Sequence, residues 1–453
     1  MVSLTFFGGV REIGGNKILL EDSGTRIFFD FGVSFPAMGH YYGGYLNPRK
    51  VNGVGDYLEF GLVPRLKGLY SREVLIAASL RYSQPVFDAI FLSHAHADHC
   101  GFLSFTDPAI PVYCGETTKT IMDVIQETSP SINFGEHDYR AFRTGDLIQV
   151  GEVSVEPVHV DHSIPGAYGF IIHSSQGAIV YTGDLRCHGP MSNMTADFIR
   201  KAKKADPIAM ICEGTKISRG PISRNLSEND VLEESRKVVE GTDDLVIATF
   251  YGKDFDRFRT FYEVAKSMGR RFVISMRIAA IVDRLREDAG LNVPDVKNDR
   301  NIAVYMRRKV KGRFEEKEYL PWERPFLSNG VNFQYVRGNQ GSLLFNLDLT
   351  RFTELIDIRP KPGGHFIHSM SEPFSDEDVG MELMDHWLGH FQLKSHQIHA
   401  SGHCAPSDLT RIIRQIAPKT LFPVHSESPE IFDRLVPASV KVVQPIVGKK
   451  HIL

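Results

Sequence analysis

No apolar run in this chain approaches the length of a membrane span, which argues against a helical membrane protein. The N-terminal stretch Met1-Val2-Ser3-Leu4-Thr5-Phe6 lacks a basic n-region and a cleavage site and reads as a first strand. A cytoplasmic location is the default expectation. The chain also lacks an excess of basic charge. Its net charge is −3 with 24% charged residues, so any nucleic-acid binding must rely on a local patch. Cysteine is scarce: the count is 5, an odd number, and no C-x-x-C spacing occurs. That argues against both a disulfide framework and a zinc knuckle. There is no internal repeat and no low-complexity tract. What remains is an ordinary globular composition, and 453 residues suffice for two or three domains with sizeable cores.

Against this background one segment stands out. Ser93-His94-Ala95-His96-Ala97-Asp98-His99 directly follows the apolar run Ala89-Ile90-Phe91-Leu92. Neutral imidazole and carboxylate oxygen are the ligands that borderline and hard divalent metals prefer. A strand that delivers His-x-His-x-Asp-His into a loop can feed two adjacent metals, and the rest of the chain must then complete both sites. Three other positions have matching local chemistry. His162 lies in Val158-His159-Val160-Asp161-His162-Ser163, Asp184 closes Ala178-Ile179-Val180-Tyr181-Thr182-Gly183-Asp184, and His425 closes Leu421-Phe422-Pro423-Val424-His425. Asp30, in Arg26-Ile27-Phe28-Phe29-Asp30, follows the same pattern. All sit where strands reach the rim of a sheet, the usual place for a site on a rigid scaffold. Each taken singly also reads as a strand-end cap, and His159 competes with His162.

Residues 1–213 read as strand-rich with short helices, including one from Thr117 to Gln126. Gly8-Gly9-Val10-Arg11-Glu12-Ile13-Gly14-Gly15-Asn16 lacks the strand–loop–helix context of a dinucleotide site and reads as a tight loop. Residues 34–84 form a long Gly- and Tyr-rich insertion expected to wall one side of the site. After Glu213 strands and helices alternate. Ser227-x-x-Asp230 resembles a capping box before a helix to Glu240, and Leu245–Thr249 reads as a strand. A helix is expected over Asp254–Met268, ending at Gly269, then a strand over Arg271–Ser275 and a helix to Ala289. Such alternation implies a mainly parallel, doubly wound sheet. Further helices are expected at Asp376–His390, Asp408–Ile416 and Pro429–Leu435.

With these motifs in this order, the chain resembles the metallo-β-lactamase superfamily. The resemblance implies an αββα sandwich in which His94, His96 and His162 hold one metal, Asp98, His99 and His425 hold a second, and Asp184 bridges them. Asp30 would organise the site from behind the ligands. The long stretch between Asp184 and His425 implies an α/β domain inserted into the sandwich, as in the β-CASP group that acts on nucleic acids. The expected segments are 1–215 and 396–453 for the sandwich and 216–395 for the insertion. The β-CASP resemblance also implies an acidic residue after the next strand, matched by Glu213 in Ile208-Ala209-Met210-Ile211-Cys212-Glu213-Gly214-Thr215. It implies a motif at the insertion's exit, matched by His399-Ala400-Ser401-Gly402-His403. The final histidine, His425, is the residue of RNA-directed members, where DNA-directed ones commonly carry valine. The best match is the ribonuclease J family, in particular its compact archaeal-type members, since the chain stops soon after His425 where bacterial members carry a linker and a further domain. That departure weakens any inference of a homodimer from bacterial relatives. Glu427 also follows Ser426 where many members have Gly-Glu.

The resemblance implies a zinc-dependent ribonuclease with two Zn²⁺ per chain, Mn²⁺ being an alternative, that degrades single-stranded RNA from a 5′-monophosphate end. Asp98 or Asp184 would orient the attacking water. His399, Ser401 and His403 would contact the scissile phosphate, with His403 stabilising the transition state or donating a proton to the departing 3′ oxygen. The rival readings are an endonuclease similar to mRNA 3′-end cleavage factors, a thioesterase or lactonase, and a non-catalytic RNA-binding scaffold. The densest basic run is Arg307, Arg308, Lys309, Lys311 and Arg313, flanked by Tyr305 and Phe314. It has the chemistry of single-strand binding, and it also reads as a solvated charged hairpin. The cysteines sit beside the motifs: Cys100 after His99, Cys187 shortly past Asp184, Cys212 before Glu213, and Cys404 after His403. They read either as small thiols packed beneath the site loops or as groups whose oxidation inactivates the protein.

Overall fold

A computed structural model of the chain describes residues 1–218, 225–371 and 379–453. The chain divides into two compact units. The first comprises Met1–Met122, Ser131–Ser223 and Gly402–Leu453, and the second Asp123–Pro130 and Arg224–Ser401.

The first unit is built on two seven-stranded sheets. One runs in the order Lys450–Ile452, Ser3–Gly8, Lys17–Asp22, Thr25–Phe29, Ala89–Leu92, Val112–Gly115, Tyr139–Phe142. The other runs Lys441–Val442, Thr420–Val424, Ala209–Glu213, Gly177–Tyr181, Tyr168–Ser174, Val153–His159, Ile148–Val150. Period-two alternation and register explain the shared face. Leu4 pairs with Leu20 and Phe6 with Ile18. Ile18 pairs in turn with Phe29, and Phe29 with Phe91. In the second sheet Tyr181 pairs with Phe170 on one side and Ile211 on the other. These inward side chains form one core, in which Phe29 meets Phe170 at 5.5 Å between ring centroids and Phe6 meets Phe422 at 5.4 Å. Each such side chain removed from water contributes about 1.5–3 kcal/mol. Helices Ser192–Lys204 and Pro406–Ile416 cover the outer face of the second sheet through Phe198, Ile199, Leu409 and Ile412. The fold is that of a metallo-β-lactamase.

The second unit holds a seven-stranded sheet in the order Gly330–Val331, Ile302–Tyr305, Arg271–Ser275, Leu343–Asn346, Val246–Thr249, His365–His368, Lys394–Gln397. Every neighbouring pair in it is parallel. The capping box at Ser227 and Asp230 is present and opens helix Glu228–Glu240. Asp254 caps helix Phe255–Ser267 through the amide of Arg257.

Several boundaries differ from the sequence expectation. The helix after Ser275 ends at Leu285, not Ala289. Residues 429–435 open as a 3₁₀ turn at Pro429–Ile431 and become α-helical only at Phe432–Leu435. Of the helix expected from Asp376, residues 376–378 lie outside the described residues and the remainder is Val379–His390. The unit division falls at 401/402 rather than 395/396, because Lys394–Gln397 is the edge strand paired to His365–His368. Residues 123–130 group with the second unit, where Arg277 donates to the Thr128 carbonyl at 3.4 Å and Arg284 pairs with Glu127 at 3.2 Å. Nothing local marks a boundary inside helix Glu116–Thr128, so sequence alone assigns it whole to its chain neighbours. Among the described residues no helix is long and apolar enough to cross a membrane.

Lys17 is buried at the start of its strand and ties two loops together, its Nζ donating to the carbonyls of Gly15 at 2.7 Å and Gly32 at 2.8 Å. Burial pushes its ammonium down to about 8, with Glu12 opposing. Folding therefore disfavours the charged form, and the stability lost as pH falls through 8 is restored as pH rises toward the ordinary 10.5. Relative to Lys17→Met, the wild-type chain should gain roughly 2.5 kcal/mol of stability between about pH 7 and about pH 10. Denaturant unfolding of both proteins at each pH measures this, and a constant difference would refute it.

Candidate metal centre

In the second sheet, strands Gly177–Tyr181, Ala209–Glu213 and Thr420–Val424 are mutually parallel. Their carboxyl ends therefore emerge at one rim, carrying Asp184, Glu213 with Thr215, and His425. Strand Ala89–Leu92 delivers Ser93 and His94, and the short helix Ala97–Cys100 carries Asp98 and His99. Two glycines let neighbouring backbone reach this loop. A Cβ on Gly32 would lie 1.7 Å from the Asp98 carbonyl oxygen, and Gly14, at φ +80°, would put one 2.6 Å from the Asp98 Cβ.

The side chains converge as three sets that share Asp184: His94, His96 and His162; Asp98, His99 and His425; and Glu213 with His403. Within each set one donor atom per residue lies within 4.8 Å of every other. In the first, His96 Nδ1 is 2.9 Å from His94 Nε2 and 3.2 Å from His162 Nε2. In the second, Asp98 Oδ2 is 3.1 Å from His425 Nε2 and 3.6 Å from His99 Nε2. Asp184 Oδ2 serves both, at 3.6 Å from His94, 3.9 Å from His162, 3.1 Å from His99 and 3.6 Å from His425. Two ligands on one tetrahedral zinc lie about 3.3 Å apart, given bonds of about 2.0–2.2 Å. The donor set and its spacing therefore fit metal ions. Two buried atoms make the same point: His99 Nε2 and Asp184 Oδ1 have no hydrogen-bond partner. Burying such atoms unpaired is costly, and a cation between them removes the cost.

Charge states at His94, His162 and Asp184 agree with this reading, whereas at His99 burial is outweighed by Asp184, Asp98 and Asp30, which hold it well above its ordinary range. Burial, with neighbouring imidazoles His99 and His96, holds His94 well below its ordinary range. Burial, with His403, lowers His162 to about 4. Both are neutral near pH 7, the form that binds metal. For Asp184 burial opposes ionisation, but His425, His99 and His403 outweigh it and hold the carboxyl well below its usual range.

The far side of each ring is fixed. Asp30, fully buried, accepts from Ser93 N at 2.7 Å and Ser93 Oγ at 2.8 Å and lies 2.8 Å from His99 Nδ1. Tyr181 donates to Asp30 at 2.6 Å and accepts from Asn16 at 3.0 Å. Ser93 Oγ lies 3.0 Å from His94 Nδ1, and Thr215 Oγ1 2.9 Å from His425 Nδ1. His162 Nδ1 donates to the Gly402 carbonyl at 2.6 Å. These contacts direct Nε2 of His94, His99, His162 and His425 inward, while His96 presents Nδ1.

Glu213 stands one step further back. It accepts from Thr215 Oγ1 at 2.7 Å and from Leu185 N at 3.0 Å, so its support of His425 runs through Thr215. It also lies 3.1 Å from His403 Nδ1. Burial opposes the His403 imidazolium, but Glu213 and Asp184 outweigh it and raise the group to about 9. His159, the competing ligand, is not in the cluster. Its ring packs on Tyr168 at 4.0 Å and its Nδ1 meets Thr144. His399 and Ser401 belong to the second unit. There His399 Nδ1 lies 3.2 Å from both Arg257 Nη1 and the Ser369 carbonyl. In the basic run, Arg307 pairs with Glu354 at 3.1 Å, Lys309 with Glu323 at 2.7 Å, Arg313 with Glu315 at 3.9 Å, and Arg308 with Asp357. Lys311 is exposed. Most of this run's charge is thus compensated within the unit. Sequence reading missed Ser93, Tyr181, Thr215, Asn16 and Gly402. All five lie within the quoted motifs, as neighbours of the residues singled out there.

Comparison with known proteins agrees with the geometry. Residues 70–207 match the model of a beta-lactamase superfamily domain, and residues 390–432 that of a Zn-dependent metallo-hydrolase RNA specificity domain. Ribonuclease J of Sinorhizobium meliloti is 26% identical over 93% of this chain and 68% of its own length. Ribonuclease J of Pyrococcus abyssi is 24% identical over 94% of this chain and 90% of its own. The chain is thus similar to ribonuclease J proteins over nearly its whole length. It spans 56% of the length of the Helicobacter pylori ribonuclease J that it matches at 23% identity. A crystal structure of a protein of unknown function from Enterococcus faecalis superposes with a TM-score of 0.77 at 26% identity, over 100% of both chains. The candidate ligand set of this chain falls in the two matched segments.

If Asp30 and Tyr181 orient His99 as described, Asp30→Asn should weaken metal binding by about 10–100-fold, and Tyr181→Phe by less. Competition against a chromogenic chelator measures both. Unchanged affinity with intact fold would remove Asp30 from this role.

Proposed function

We propose that the chain is a metal-dependent ribonuclease that hydrolyses single-stranded RNA from a 5′-monophosphate end, with two Zn²⁺ per chain or Mn²⁺ in their place. The observation that carries the reading is the membership of Asp184 in two adjacent ligand sets. When bound, a pair of ions supplies Lewis acidity toward a phosphodiester and lowers the pKa of water. His94, His96, His162 and Asp184 would hold one ion, and Asp98, His99, His425 and Asp184 the other.

The protein's own groups do the rest. Asp98 and Asp184 accept hydrogen bonds and orient the attacking water. His403 carries the proton that the departing 3′ oxygen needs. Its Nδ1 is engaged by Glu213, so the donor is Nε2. His399 and Ser401 bind substrate phosphate in this reading. The RNA specificity match and the relatives named ribonuclease J support RNA as substrate, and the inserted parallel sheet argues against a thioesterase or lactonase.

The test is a single-stranded RNA bearing a radiolabelled 5′-monophosphate, mixed with zinc- or manganese-loaded protein and with a His96→Ala control. Immediate release of labelled mononucleotide, absent in the control, is the expected result. Longer labelled fragments would mean internal cleavage. Intact RNA alongside hydrolysis of a thioester or lactone would overturn the reading. His403→Ala should lower kcat by about 10²–10⁴-fold at unchanged metal content, measured on the same RNA, as expected for a general acid. A variant that instead loses metal would place His403 among the ligands.

A further inference from the structure

Cys187 and Cys404 meet from distant parts of the chain, with the Cys404 thiol donating to Cys187 at a sulfur separation of 3.7 Å. Their backbones are already tied, since Cys404 N donates to the Leu185 carbonyl at 2.8 Å. Cys404 is buried in the core beneath the second sheet, and Cys187 is half-buried against the same cluster. Arg411, on helix Pro406–Ile416, is a cationic neighbour of Cys187, with Asp408 opposing it there and pairing with Arg411 at 2.8 Å. A cationic neighbour and partial exposure are the features that separate a reactive cysteine from an inert one, and a second thiol in reach makes its oxidation reversible. Cys100 and Cys212 differ: both are buried and direct their thiols to backbone carbonyls, of His96 at 3.2 Å and of Glu213 at 3.3 Å.

We propose that Cys187 and Cys404 form an oxidisable dithiol, converted by a hydroperoxide to an intramolecular disulfide that alters the metal centre. Cys187 sulfur attacks the peroxide oxygen, the O–O bond breaks, and one water (or alcohol) leaves with the thiol proton. The sulfenic acid so formed is attacked by Cys404 sulfur. The S–S bond forms and the sulfenyl oxygen departs as a second water with the Cys404 proton. Two thiols are oxidised and one peroxide is reduced. The sulfurs must close to about 2.05 Å, a relative movement of roughly 1.7 Å. Cys404 directly follows Gly402 and His403, and the Gly402 carbonyl orients His162. Cys187 lies shortly after Asp184. The disulfide therefore draws together the segments that aim His162, His403 and Asp184.

The test treats the reduced full chain with hydrogen peroxide, alkylates under denaturing conditions and maps the peptides. A Cys187–Cys404 cross-link that dithiothreitol reverses is expected, and none in Cys187→Ser or Cys187→Ala. The functional arm rests on the ribonuclease reading: cleavage of 5′-labelled RNA should fall at least about 10-fold on oxidation, recover on reduction, and be insensitive in both variants. Full alkylation of both cysteines after oxidation, or equal reversible inactivation of the variants, would overturn the proposal. A cross-link in a chain that cleaves no RNA even when reduced would sink the ribonuclease reading and leave the dithiol standing.

Discussion

One buried carboxylate organises the first unit. Asp184 is 2% exposed and faces five imidazoles, none further than 4.0 Å from its Oδ2. A carboxylate out of water is costly unless compensated, and His425, His99 and His403 outweigh that cost at Asp184. Two buried atoms, Asp184 Oδ1 and His99 Nε2, still have no hydrogen-bond partner, and a cation on either side of Asp184 would satisfy both. The same logic explains why the donors sit on strand ends. Only a rigid sheet holds several repelling or unpaired groups at ligand spacing without letting them relax apart.

The scaffold around Asp184 is layered. Asp30 anchors Ser93, His99 and Tyr181 at once, so one residue from the first sheet ties the His-x-His-x-Asp-His loop to a strand of the second. Glu213 does comparable work through Thr215 and His403. A second buried pair, Arg186 with Asp161 at 2.9 Å, braces the segment that presents His162. Removing one partner from such a pair leaves a bare buried charge, which costs more than the pair itself contributes. These groups are structural conditions for the chemistry even though they never reach substrate.

The second unit uses its charges differently. Arg257 is fully buried and is satisfied by Glu228, the Ser369 and Ala400 carbonyls and Ser369 Oγ, so it fixes the backbone on which His399 lies. At the surface, the basic run from Arg307 to Arg313 is largely matched by Glu354, Asp357, Glu323 and Glu315. In sequence that run looks like the strongest patch for a polyanion. In the fold, carboxylates from segments that follow it lower its field. Exposed pairs of this kind contribute little to stability and mainly neutralise.

Much of this was legible in the chain. Period-two alternation in Leu4, Phe6, Ile18, Leu20, Ile27 and Phe29 announces a sheet with one buried face, and the alternating strands and helices after Glu213 announce a parallel one, because both patterns are local. The residue types at strand ends, from His94 to His425, are local too, and they determined by themselves that a metal centre of imidazole and carboxylate was to be expected. Tertiary structure alone decided the rest. It turned Nδ1 of His96 inward, routed the support of His425 through Thr215, and brought Cys187 within 3.7 Å of Cys404. Each of these depends on distances between segments far apart in sequence. Local periodicity carries no information about such distances; only the packing of the two sheets sets them.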